Sequence, residues 1–185
     1  MLNYTRHFVL LLAMAAGLAA ASRLPAVLIP GLLAPGELLS AAGIAIQFAI
    51  YGALHALALV WSLTARRSLG RQIAFIAAAA AMSLGTAWLT LWLVRRMSNP
   101  SGPVPILIAA AALGAWAYAG AIRGVLRLIL GARSTAWMSL ACAAAVAAAY
   151  PCVKHLPSAA GLGLAIPWWL AFSVAFALQD ARCRR

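Results

Sequence analysis

Six apolar runs, at about 8–30, 38–63, 72–94, 104–122, 136–153 and 159–179, constrain this chain more than any motif in it. A helix of about 20 residues covers about 30 Å of hydrocarbon, so each run is close to the length of one bilayer crossing, the fifth being the shortest. Only short connections separate them. "LLAPGE", "TARRSLGR", "SNPSGPVP" and "HLPS" leave no room for a soluble domain, and Pro and Gly punctuate them where a helix must stop. Whatever the protein does is done inside the bilayer, at its two faces, or through a partner.

Composition excludes the soluble alternative. The 185 residues are 66% hydrophobic and 9% charged, whereas a soluble domain is about half apolar and about a quarter charged. A core of this size hides only part of such a surface, and the rest would face water as large contiguous patches. The sequence predicts an all-α fold: a polytopic integral membrane protein with a single domain over 1–185, built as a bundle of six transmembrane helices, or five if the first is cleaved or peripheral. The opening "MLNYTRHFVLLLAMAAGLAAASR" leaves that alternative open, because a basic start, an apolar stretch and small residues also mark a secretory signal. Taken as a span, it runs past Arg23, whose side chain can snorkel to the interface, and ends near Pro30.

The formal net charge of +12 comes from 14 Lys and Arg against Glu37 and Asp180. The basic residues stand singly or in pairs between apolar runs, as topology signals do, and not in an arm that would grip nucleic acid. With the N-terminus inside, Arg6, Arg66, Arg67, Arg71, Arg123, Arg127, Arg133, Arg182, Arg184 and Arg185 are cytoplasmic. Arg23, Arg95, Arg96 and Lys154 are outside. This asymmetry predicts a multi-pass protein of a bacterial-type cytoplasmic (inner) membrane with both termini in the cytoplasm, although the Arg95–Arg96 pair runs against the rule.

Helices in lipid associate by close packing and hydrogen bonds, because acyl chains are as apolar as Leu. Small residues four apart permit such packing: Ala13, Gly17 and Ala21; Ala77, Ala81 and Gly85; Gly120 and Gly124; Ala141, Ala145 and Ala149. Trp61, Trp88, Trp92, Trp116, Trp137, Trp168 and Trp169 fall mostly near span ends and read as an aromatic belt before a ligand cage.

A polar stripe interrupts the second run. Gln47, Tyr51 and His55 are four residues apart and share a helix face, and all three donate and accept hydrogen bonds as neutral groups. They can line a ligand pocket without a buried carboxylate, with Ser83, Thr86 and Thr90 of the third run as partners at similar depth. The plainer reading is interhelical glue, worth about 0.6 kcal/mol per group. A basic rim of Arg66, Arg67, Arg71, Arg123 and Arg127 can hold anionic headgroups or an acidic partner, with Arg123 and Arg127 one turn apart on a continuing fourth helix; simple positive-inside anchoring explains the rim equally well.

Sharper chemistries find no support. Glu37 and Asp180 lie at opposite faces, so no acid pair forms, and proton-coupled transport lacks its usual intramembrane carboxylate. No G-x-S-x-G marks an activated serine. Cys142, Cys152 and Cys183 have no metal-ligand spacing. His7 and His155 sit at the ends of other runs, which disfavours a haem held by His55 and a second imidazole. The sequence predicts a non-enzymatic component, either a small transporter or the membrane-embedded subunit of a larger complex, binding a lipid-like or small amphipathic ligand near His55. It predicts membrane lipids and a protein partner or second copy as its partners, and no cofactor, metal or nucleic acid. The alternatives are a lipid-modifying enzyme using His55 and the basic rim, and a structural or immunity-type protein that only covers a partner's membrane surface.

Overall fold

The computed structural model describes residues 3–21, 41–63, 68–96, 102, 104–128, 130–153 and 160–182. Among these residues it is all-helical, with six helices: α1 (Tyr4–Ala21), α2 (Ala41–Ser62), α3 (Leu69–Arg96), α4 (Val104–Gly124), α5 (Ala132–Val153) and α6 (Ala160–Arg182). Arg23, Pro30, Glu37, Arg66, Arg67, Lys154 and His155 lie outside the described residues.

Capping residues place the starts of α1, α3 and α5 earlier than hydropathy does. The Arg6 N–H donates to the Asn3 side-chain oxygen at 3.0 Å, which satisfies one of the free donors of a first turn and begins α1 at Tyr4 instead of residue 8. The Ser68 carbonyl accepts from the Arg71 and Gln72 N–H groups, and the Gly131 carbonyl accepts from Thr135. Pro105 stands in the first turn of α4, where a missing N–H costs nothing. Pro151 and Pro167 lie within α5 and α6, each removing one ladder bond that neighbouring helices in a bundle can tolerate.

Each helix packs on its neighbours in sequence, α1 also reaches α6 to close the ring, and α2 meets α6 across the middle. Side-chain and backbone contacts fix the alternation of direction. The Asn3 N–H donates to the Ser62 carbonyl at 2.8 Å, so the start of α1 meets the end of α2. The Tyr4 hydroxyl reaches the Ala177 carbonyl late in α6, and Phe75, early in α3, packs edge-on against Tyr118, late in α4.

Among the described glycines, Gly52 makes the closest approach, between α2 and α3. A β-carbon there would overlap the Ser83 hydroxyl and lie 2.7 Å from Ser83 Cβ and 2.8 Å from the Ala79 carbonyl. The small-residue rows read from the sequence do not make this contact. Ala13, Gly17, Ala77, Ala81 and Gly85 are exposed, and Gly17, Gly85, Gly120 and Gly124 have open space where a β-carbon would go. A spacing of four puts residues on one face without saying which way that face points.

The outer surface is apolar on every helix. Val9 and Leu12, Ile50 and Trp61, Trp88 and Leu89, Leu113 and Trp116, Trp137 and Leu140, and Val174 and Leu178 all face outward. α3 over Leu69–Val94, α4 over Val104–Gly124 and α5 over Ala132–Cys152 are long and apolar enough to cross a membrane. A helix greasy all round belongs in lipid or in the heart of a larger assembly.

Candidate functional site

His55 lies two turns before the end of α2, fully buried. It is wrapped by Tyr118 of α4 and by Trp168, Trp169 and Phe172 of α6, with ring centroids between 5.1 and 5.9 Å from its own. Both of its nitrogens are engaged: Nδ1 lies 2.9 Å from the Tyr118 hydroxyl and Nε2 lies 3.2 Å from Ser173 Oγ. The same Ser173 oxygen lies 2.8 Å from His7 Nε2, and the two imidazoles are 6.1 Å apart. His7, Tyr118 and Ser173 are as deeply buried as His55. One hydrogen-bonded chain, His7–Ser173–His55–Tyr118, therefore ties α1, α6, α2 and α4 together at the end of the bundle that holds the N-terminus.

The chemistry of this chain follows from counting protons. Ser173 has one, so it can donate to only one imidazole and, when it does, accepts from the other. A neutral imidazole donates from one nitrogen and accepts at the other, so reversing Ser173 reverses the roles of both His55 nitrogens and of the Tyr118 hydroxyl. The chain has two such orders, both without net charge. His7 Nδ1 is buried and has no hydrogen-bond partner among the described residues, which leaves that end of the chain open.

The aromatic wall is a departure from the belt. Trp61, Trp88, Trp92, Trp116 and Trp137 face outward as belt residues do, but Trp169 is buried and Trp168 donates its indole N–H to the Ala111 carbonyl at 3.1 Å. The Trp168 carbonyl in turn accepts from the Cys142 thiol at 3.7 Å. The second imidazole beside His55 is His7, which hydropathy left outside the first run. The signals for the other members were present: Tyr118 in "GAWAYAGA" and Ser173 in "LAFSVAF" are, like His55, lone polar groups deep in apolar spans.

The remaining stripe residues separate. Tyr51 is buried beside Trp169, with ring centroids 6.2 Å apart, and Gln47 is half-buried one turn further along α2. Ser83 faces Gly52. Thr86 and Thr90 do not join His55; they line a groove of about 520 Å3 between α3 and α4 with Met82, Gly85, Leu89, Leu93, Pro105, Ile106, Ala109, Ala110, Leu113 and Ala117. The Thr90 hydroxyl donates to the Thr86 carbonyl at 2.6 Å, so even the polar part of this lining is turned on its own helix. α3 and α4 pack less extensively than α2 and α3 or α4 and α5 do, and the groove lies between them.

The basic rim is also rearranged. α4 ends at Gly124 and does not carry Arg123 and Arg127 on one continuous face. Arg127 has φ +53°, and the chain turns back with the Leu128 N–H donating to the Ile122 carbonyl at 3.3 Å. The turn buries Leu126 and Leu130 against the core, an apolar gain that continuing the helix would forfeit. Arg123 and Arg127 remain exposed and Arg71 is half-buried. Among the described residues no group of three or more His, Cys, Asp or Glu is placed to hold a metal ion.

No protein-family model, curated protein or solved structure matches the chain.

Proposed function

We propose that the chain spans a bacterial-type cytoplasmic membrane six times with both termini on the cytoplasmic face, and that it works as a transporter or as the membrane-embedded subunit of a larger complex, holding a lipid-like or small amphipathic ligand. The observation that carries this reading is the groove between α3 and α4. It opens sideways onto the apolar surface, its volume falls in the range of about 300–1,000 Å3 that small-molecule sites occupy, and Thr86 and Thr90 are its only polar side chains. The His55 core, closed and with both His55 nitrogens engaged, serves instead as the lock that holds α1, α2, α4 and α6 in register so that α3 and α4 can part. Gentle detergent extraction followed by native mass spectrometry tests this. Bound lipid that is displaced by Gly85→Phe, which places a ring in the groove, supports it, and a protein that emerges bare contradicts it.

A second reading, a lipid-modifying hydrolase, is favoured by the order Ser173, His55, Tyr118, which is that of a nucleophile, its base and the group that orients the base. It requires α6 to part from α2, because Ser173 is buried. Covalent labelling by a fluorophosphonate that disappears in Ser173→Ala supports it; absence of labelling in native membranes sinks it.

A further inference from the structure

The groove has a direction. Its α3 wall runs three turns, from Met82 at the middle of the helix to Leu93 near its end, about 16 Å at 1.5 Å per residue. One leaflet of a bilayer with about 30 Å of hydrocarbon is about 15 Å deep. The groove thus matches a single acyl chain in one leaflet, entering at the Leu93–Pro105 end. Leu89, Leu93 and Arg96 are spaced at i, i+4 and i+7, so Arg96 continues the groove wall one turn beyond its mouth. Its guanidinium lies over the Trp92 ring, 4.4 Å from the centroid, where a cation–π contact holds it at the level an indole takes in a membrane.

Charge at this end is otherwise unexplained. Arg95 and Arg96 oppose the distribution that orients the rest of the chain, so anchoring does not account for them. We propose that the groove and Arg96 together form a site for one anionic phospholipid of the leaflet opposite the termini, with an acyl chain along Leu93, Leu89, Thr86 and Met82 and its phosphate on the Arg96 guanidinium. This rests on the groove being the ligand seat. Guanidinium is the side chain suited to phosphate because its planar fork donates two parallel hydrogen bonds. The glycerol backbone then sits beside Trp92, and the second acyl chain lies in bulk lipid against the exposed Leu113 and Trp116 of α4.

The test uses the full chain in nanodiscs of palmitoyl-oleoyl phosphatidylglycerol mixed equally with palmitoyl-oleoyl phosphatidylcholine, released for native mass spectrometry, with wild type, Arg96→Gln, Arg96→Lys and Gly85→Phe compared. One basic group near the headgroups is worth about a fivefold preference for an anionic lipid. Wild type is expected to retain one phosphatidylglycerol with about that preference. Arg96→Gln is expected to keep a lipid but bind both kinds equally, Arg96→Lys to keep part of the preference, and Gly85→Phe to lose both lipids. Arg96 is exposed, so melting temperature should not change in Arg96→Gln. An undiminished phosphatidylglycerol preference in Arg96→Gln overturns the headgroup assignment while leaving the groove as a ligand seat. Full lipid retention in Gly85→Phe overturns the groove reading itself.

Discussion

Replacing Gly52 by Ala probes the helix contact on which the rest of the bundle is built. The new β-carbon would overlap the Ser83 hydroxyl and lie 2.7 Å from Ser83 Cβ and 2.8 Å from the Ala79 carbonyl. Non-bonded carbons rest at about 3.5–4.0 Å, so α2 and α3 must separate by about 0.8 Å or more. The Ser83 side chain can turn its hydroxyl away, but its β-carbon and the Ala79 carbonyl are fixed to the helix and cannot. Overpacking of this kind costs about 1–3 kcal/mol, which at about 2–4 °C per kcal/mol for a chain of this size lowers the melting temperature by about 2–12 °C. Differential scanning fluorimetry in a mild detergent reads it. Adding Ser83→Gly removes two of the three contacts and should recover part of the loss, not all, because the Ala79 carbonyl remains. Gly85→Ala and Gly120→Ala meet open space and should be neutral or gain up to about 1 kcal/mol from helix propensity. A Gly52→Ala protein that melts with Gly85→Ala, at or above wild type, would refute the close approach of α2 and α3.

Further tests address the polar chain, the turn after α4 and the cysteines. Ser173→Ala strands two imidazole nitrogens in a closed core and should cost about 1–3 kcal/mol, measured by unfolding in mixed micelles. Thr90→Ala, whose hydroxyl bonds its own helix, should cost no more than the roughly 0.6 kcal/mol of an average membrane hydrogen bond. Equal losses would argue against the shared hydroxyl. Arg127→Gly removes a left-handed β-carbon that costs about 1–2 kcal/mol, offset in part by the freedom glycine gains when unfolded, about 0.5–1 kcal/mol; a small rise in melting temperature is expected and a fall would contradict the turn. In the folded protein a maleimide should modify Cys152, which is exposed, and spare Cys142, which is buried.

Helix number was legible because each long apolar run is of a length that a single helix takes. The errors lie where local chemistry outweighs hydropathy. Asn3 caps α1 before the apolar run begins, and Gly124 with Leu126 and Leu130 turns the chain where a regular spacing of Arg123 and Arg127 suggested more helix. The site was half legible. His55 stood out as an imidazole in an apolar span, and the same criterion applied to every span picks out Tyr118 and Ser173. His7 was visible but set aside as lying at the end of another run, because hydropathy places the start of α1 too late. Thr86 and Thr90 share a face, but only the spread of α3 from α4 turns that face toward a groove and away from His55. Gly52 could not be ranked among 14 glycines, because what singles it out is the Ser83 opposite, a fact of tertiary packing.

The proposed six crossings make a sharp demand on sidedness, and accessibility of single cysteines to a membrane-impermeant maleimide tests it most directly. In a chain with Cys142 and Cys183 replaced by Ala, Cys152 at the end of α5 should be modified in intact, sealed cells. With Cys152 also replaced and a cysteine introduced at Ser68, just before α3, modification should appear only after the membrane is permeabilised. Modification of both positions from the same side would contradict the six-span bundle.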